Sequence, residues 1–156
     1  MAISLAILLQ LGLTGLALCA AFTDLRWRLI PNWLTLSIAV LAPVYWIVAG
    51  LTLWPEMALQ LLIGCGCFGL FALAFAAGMM GGGDVKLIAA LGLWFPLVTM
   101  ARLLVLMALT GAVVGIGFWV AHKARRRTTA LEVPYGLAIT AATICVLWER
   151  NINPFG

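Results

Sequence analysis

The sequence predicts an all-α fold: a polytopic membrane protein, folded as a bundle of about six transmembrane helices. Three observations predict it. The 156-residue chain is 65% hydrophobic and 9% charged, whereas soluble domains run about 45–50% apolar and about 25% charged. Its apolar residues fall into six stretches, about 3–23, 33–53, 57–79, 85–101, 103–121 and 131–149. Each is near the roughly 17–25 residues that cross a bilayer as a helix. None shows the alternation over about 10 residues that marks a barrel strand.

Each stretch has its own local justification. No charge precedes Asp24 in the first, which is also too long for the apolar core of a signal peptide, so it reads as a retained helix. Pro31 and Asn32 open the second: proline suits a first helical turn, where its missing N–H is not needed. The third carries Gly64 and Gly69. The fourth is the shortest and follows Gly81-Gly82-Gly83, with Asp84 at its start. The fifth contains Gly111-x-x-x-Gly115, a spacing that lets helices approach closely. Glu132 starts the sixth, where a carboxylate suits the positive end of the helix dipole. Trp27, Trp33, Trp54, Trp94, Trp119 and Trp148 fall near predicted helix ends and read as interfacial anchors, while Trp46 lies deeper and packs.

Positive charge sets the predicted orientation. With the N-terminus outside, Arg26, Arg28, Lys86, Lys123, Arg125, Arg126 and Arg127 all fall in cytoplasmic loops, seven of the nine basic residues. Only Arg102 and Arg150 are then outside, and both termini lie outside. The run "HKARRR" reads as an anchor against anionic lipid, not as a nucleic-acid site, and His122 as a loop residue. Cys19, Cys65, Cys67 and Cys145 lie in apolar stretches without paired C-x-x-C clusters, so no metal site is expected and the thiols read as small buried side chains.

Of five acidic residues, Glu56 and Glu149 map to the outer face, while Asp24 and Asp84 map to the inner one. Asp24 closes the first helix and Asp84 starts the fourth, 60 residues apart in sequence and at one depth. Carboxylates at membrane depth are costly and point to function. Two close carboxylates do not both ionise readily, so one keeps a proton. The ionised one can activate water, and the protonated one can polarise a carbonyl. The dipoles of their own helices favour Asp84 as base and Asp24 as acid, with roles open to exchange in turnover. Gly81, Gly82 and Gly83 are expected to adopt positive φ and to open a cleft beside Asp84, since an extended peptide needs backbone without bulk. Lys86 reads either as a topology-setting cation or as a partner for lipid phosphate or substrate.

The order "DLRWRLIPN" (24–32), "GGGDVK" (81–86) and "VPYG" (133–136) resembles the prepilin peptidases, membrane aspartic peptidases of type IV pilus and type II secretion systems. The resemblance covers nearly the whole chain, and the combination is far more specific than G-x-G-D alone. It implies Asp24 and Asp84 as the catalytic pair, with Gly81, Gly82, Gly83, Lys86, Pro31 and Asn32 shaping the site or binding substrate. It implies a cut in the basic leader of a prepilin or pseudopilin at the cytoplasmic face of the bacterial inner membrane, without cofactor or metal. Implied partners are that substrate, the lipid bilayer and the pilus or secretion machinery. The expected organisation is a single transmembrane peptidase domain over 1–156. A soluble zinc-binding methyltransferase domain, with its C-x-x-C pairs, is not expected, as in the short branch of tight-adherence (Flp) systems. The late motif of the family often ends in proline, where Leu137 stands here. Two other classes use related features. A proton-coupled transporter would place its acids at the midplane of two related halves, and a structural secretion subunit would have no need of two aspartates at one depth.

Overall fold

The computed structural model describes residues 2–124 and 135–152. The side chains of His122 and Lys123, the basic residues Arg125, Arg126 and Arg127, and Glu132, Val133 and Pro134 lie outside the described residues. Six α-helices follow in order: α1 (Ala2–Trp27), α2 (Asn32–Val48), α3 (Ala58–Ala76), α4 (Gly82–Gly92), α5 (Leu97–Ala124) and α6 (Tyr135–Ile152). No strand occurs among the described residues. Three spans are long and apolar enough to cross a membrane: Ser4–Trp27, Leu53–Ala76 and Leu97–Gly117.

The bundle buries one stripe of each helix and turns large apolar side chains outward. In α1 the buried residues Leu13, Ala17, Ala20, Ala21 and Asp24 recur at helical spacing, so the helix period itself turns Asp24 inward. Leu8, Leu11, Leu62, Leu73 and Val113 are exposed. In a bilayer that outer face meets lipid, which explains why both faces of these helices are apolar.

The fourth stretch departs from expectation. A single helix was expected over 85–101, but α4 has only 11 residues, about 16 Å at 1.5 Å per residue. Pro96 lacks an N–H and crowds the preceding turn, so the helix stops before it. The last turn tightens through Trp94 N–H to Leu91 O at 2.9 Å, and Met100 N–H to Pro96 O at 2.8 Å opens α5. Arg102, placed in a loop by the sequence reading, therefore lies inside α5.

This short helix is the centre of the bundle. It packs on α2, α3 and α6, while α1 packs on α2 and α6. Gly64 and Gly92 set the α3–α4 approach: a Cβ on Gly92 would lie 3.0 Å from the Gly64 Cα. The added atom would instead meet nothing within 4 Å at Gly12 and Gly15. Trp94 is 2% exposed and its indole donates to Ile38 O at 2.9 Å. It is a core tie between α2 and α4, not the interfacial anchor its position near a helix end suggested. Trp46 is also buried and donates to Leu93 O at 2.7 Å, in keeping with its expected packing role. Trp27, Trp33, Trp54 and Trp148 are exposed. Among the cysteines only Cys67 is buried; Cys19, Cys65 and Cys145 are exposed on the bundle surface, so burial does not explain them.

Candidate active site

Asp24 and Asp84 are each 8% exposed and stand at the same end of the bundle. The Asp24 charge is near enough to bear on Asp84, and the Arg28 charge on Asp24. Asp24 comes from the last turns of α1. That helix stops because Arg28 takes a left-handed φ of 54°, with its N–H bonded to Asp24 O at 2.9 Å. Asp84 is the third residue of α4, whose N-cap is Gly81. Its carboxylate folds back toward the Gly81 amide, the return half of a capping box. The other oxygen, Oδ1, is buried with no hydrogen-bond partner.

A third helix completes the site. The Gly136 N–H, in the first turn of α6, donates to Asp24 Oδ2 at 2.8 Å. First-turn amides have no partner within their own helix, and the dipole adds positive potential there. Asp24 thus ends one helix and caps the start of another. Only a residue without a side chain fits: a Cβ on Gly136 would lie 2.8, 2.9 and 3.0 Å from Asp24 Oδ2, Cβ and Cγ. Thr140, one turn further along α6, donates to Ala17 O at 2.8 Å and ties the two helices beside this contact.

The glycine run works differently from its sequence reading. Gly81 is the extended N-cap of α4 (φ −74°, ψ 144°), and Gly82 and Gly83 are its first helical residues. None of the three has positive φ; in this loop that conformation falls to Gly78, at 71°. What the run provides is clearance. A Cβ on Gly81 would stand 3.1 Å from Asp84 Oδ2, one on Gly83 3.1 Å from the Ile30 Cβ, and one on Gly82 3.4 Å from the Phe75 ring.

Pro31 is the N-cap of α2, one position ahead of the helix, and Asn32 is its first residue. Lys86 Nζ donates to Asn32 Oδ1 at 2.8 Å, linking α4 to α2. Two residues on a helix are about 200° apart, so Lys86 leaves α4 on the side away from Asp84. Lys86 and Asn32 line the mouth of a groove of about 800 Å³ between α2 and α3. The structure therefore groups Asp24, Asp84, Gly81 and Gly83 at one end of the bundle, and sets Lys86 and Asn32 apart as a brace behind α4. Sequence reasoning missed Gly136 as part of this group. Its only signal was the "VPYG" motif, since a backbone donor carries no side-chain signature.

Residues 11–116, which include both aspartates, match the model of the type IV leader peptidase family. The chain belongs to that family. It is also 31% identical, over 152 residues, to the prepilin leader peptidase/N-methyltransferase of Aeromonas hydrophila, covering 94% of this chain and 51% of that one. The corresponding protein of Aeromonas salmonicida strain A449 matches to the same extent. The chain spans about half the length of these curated relatives. No solved structure matches it. Family membership and the apolar spans together make it an integral membrane protein.

Proposed function

We propose that this protein is a membrane aspartic endopeptidase that removes the basic leader of prepilins or pseudopilins at the cytoplasmic face of the membrane. One observation carries the reading: two buried aspartates, delivered by α1 and α4 to one end of the bundle, with Asp24 near enough for its charge to bear on Asp84. Close carboxylates share a proton, which gives a base and an acid in one site. A transporter would place its acids near the midplane of two related halves, whereas both of these stand at one end of the helices that carry them. Scaffolding alone would give no reason to bury two carboxylates together.

The hydrogen bonds favour the opposite assignment to the one drawn from each aspartate's own helix. Asp24 accepts an amide at the start of α6, which supports the anion. Asp84 keeps one buried oxygen without a donor, and a proton there removes the cost of a bare anionic oxygen. In this mechanism Asp24 is the base. It takes a proton from water as the water attacks the scissile carbonyl. Asp84 donates a hydrogen bond to that carbonyl oxygen and stabilises the tetrahedral intermediate. The proton gained by Asp24 then passes to the leaving amine as the C–N bond breaks. Glycine at 81 and 83 lets the start of α4 pack closely on Asp84 and Ile30, which holds Asp84 in place.

The test is incubation of the purified protein with a candidate prepilin, followed by mass spectrometry of the products. A single new N-terminus at the end of the basic leader supports the proposal. An uncut substrate with folded enzyme, or equal cutting by Asp24→Asn, overturns it.

A further inference from the structure

The end of the bundle opposite the aspartates holds a second group of polar side chains, which the peptidase reading does not use. A cavity of about 690 Å³ opens there between α3 and α5. Its polar lining is confined to the rim: Glu56 just ahead of α3, Gln60 in the first turn of α3, Tyr45 near the end of α2, and Arg150 in the last turn of α6. Deeper toward the bilayer centre, Cys67, Leu70, Met100 and Leu104 line it.

Gln60 is 7% exposed and its Oε1 has no hydrogen-bond partner. A buried amide oxygen left unpaired costs about 1–3 kcal/mol, and hydrocarbon offers no donor to relieve it. Glu56 does not supply one, because a carboxylate only accepts; its Oε2 is held by the Thr52 N–H at 2.6 Å and the Thr52 hydroxyl at 3.0 Å. Arg150 lies over the Tyr45 ring at 5.6 Å and brings a cation to the same rim. The site thus offers a cation and an unpaired acceptor at interfacial depth, with an apolar channel below.

We propose that this cleft binds one phospholipid whose headgroup carries an N–H or O–H donor. The phosphate meets Arg150, the headgroup donor meets Gln60 Oε1, and an acyl chain fills the channel between α3 and α5. The sorting of polarity by depth matches a lipid. An apolar partner helix would bring no anion to Arg150 and no donor to Gln60 Oε1 at the rim, because its backbone N–H groups are bonded within the helix.

The test uses the full chain reconstituted with equal amounts of phosphatidylethanolamine, phosphatidylglycerol and phosphatidylcholine of identical acyl chains. After mild extraction, native mass spectrometry reads the lipid retained. Phosphatidylcholine has the same phosphate and chains but no headgroup donor. One molecule of either donor-bearing lipid should be retained at least tenfold over phosphatidylcholine. Gln60→Leu should bring that preference to within twofold, and Arg150→Gln should weaken retention of all three. Ala101→Trp, which fills the channel from the α5 side, should empty the site even if Gln60→Leu does not fold. Equal retention of phosphatidylcholine by the unaltered protein overturns the proposal. So does a lipid-free protein, a preference that survives Gln60→Leu, or a second copy of the chain seated on the α3–α5 face.

Discussion

Replacing Gly136 by alanine tests the site with a single methyl group. The added Cβ would lie 2.8 Å from Asp24 Oδ2 and 2.9 Å from Asp24 Cβ, where ordinary carbon contacts are about 3.5–4.0 Å. Asp24 and the start of α6 must therefore separate by about 0.5–1 Å. Neither helix moves freely, since Thr140 holds α6 to Ala17 of α1 at 2.8 Å. The 2.8 Å bond from Gly136 N–H to Asp24 is then lost or badly stretched. A hydrogen bond to a charged group is worth about 1.5–3 kcal/mol, and each 1.36 kcal/mol on a barrier is about tenfold in rate. A misplacement of about 1 Å alone can cost about 100-fold. Gly136→Ala should thus lower kcat by about 10- to 100-fold, with KM little changed because the contact is to Asp24, the base of the proposed mechanism, and not to the substrate. The assay is initial-rate cleavage of a prepilin in detergent micelles, normalised to monodisperse protein. Gly12→Ala, where the added atom meets nothing within 4 Å, serves as control and should match the unaltered enzyme. A folded Gly136→Ala protein with a kcat within twofold of the control would refute the role given to this amide.

Asp24→Asn and Asp84→Asn should each abolish cleavage while the protein still inserts and elutes normally, and Glu149→Gln should cut at the unaltered rate by the same mass-spectrometric assay. Gly83→Val should reduce activity per folded molecule more than tenfold, because the Cβ alone would stand 3.1 Å from the Ile30 Cβ and valine adds two methyls; Gly12→Val should leave it unchanged. Trp94→Phe removes the bond to Ile38 O, and should lower stability by about 0.6–2 kcal/mol, read as an earlier thermal transition without loss of the helical signal. A reporter active only in the cytoplasm should be active when inserted at 122–129 and inactive when fused after Gly156; the reverse would put the aspartates on the outer face.

Sequence alone determined the features that depend on local chemistry. Hydropathy fixes the apolar helices, because a backbone in hydrocarbon must bond within its own segment. The helix period turns Asp24 inward with Leu13, Ala17 and Ala20, and the alternation of stretches brings α1 and α4 to place their aspartates at one end. Other features are properties of the assembled bundle. Hydropathy counts carried the fourth stretch on to residue 101, although Pro96 breaks it and leaves α4 as a short central helix. Trp94 looks interfacial by position, yet it is buried because α4 ends inside the bundle. The glycines ahead of Asp84 are needed for clearance from Asp84, Phe75 and Ile30, contacts that exist only once the helices have packed. The amide bond that Asp24 accepts joins residues 112 apart. It is made by a backbone amide that every residue but proline possesses, so only the docking of α6 against α1 could select it.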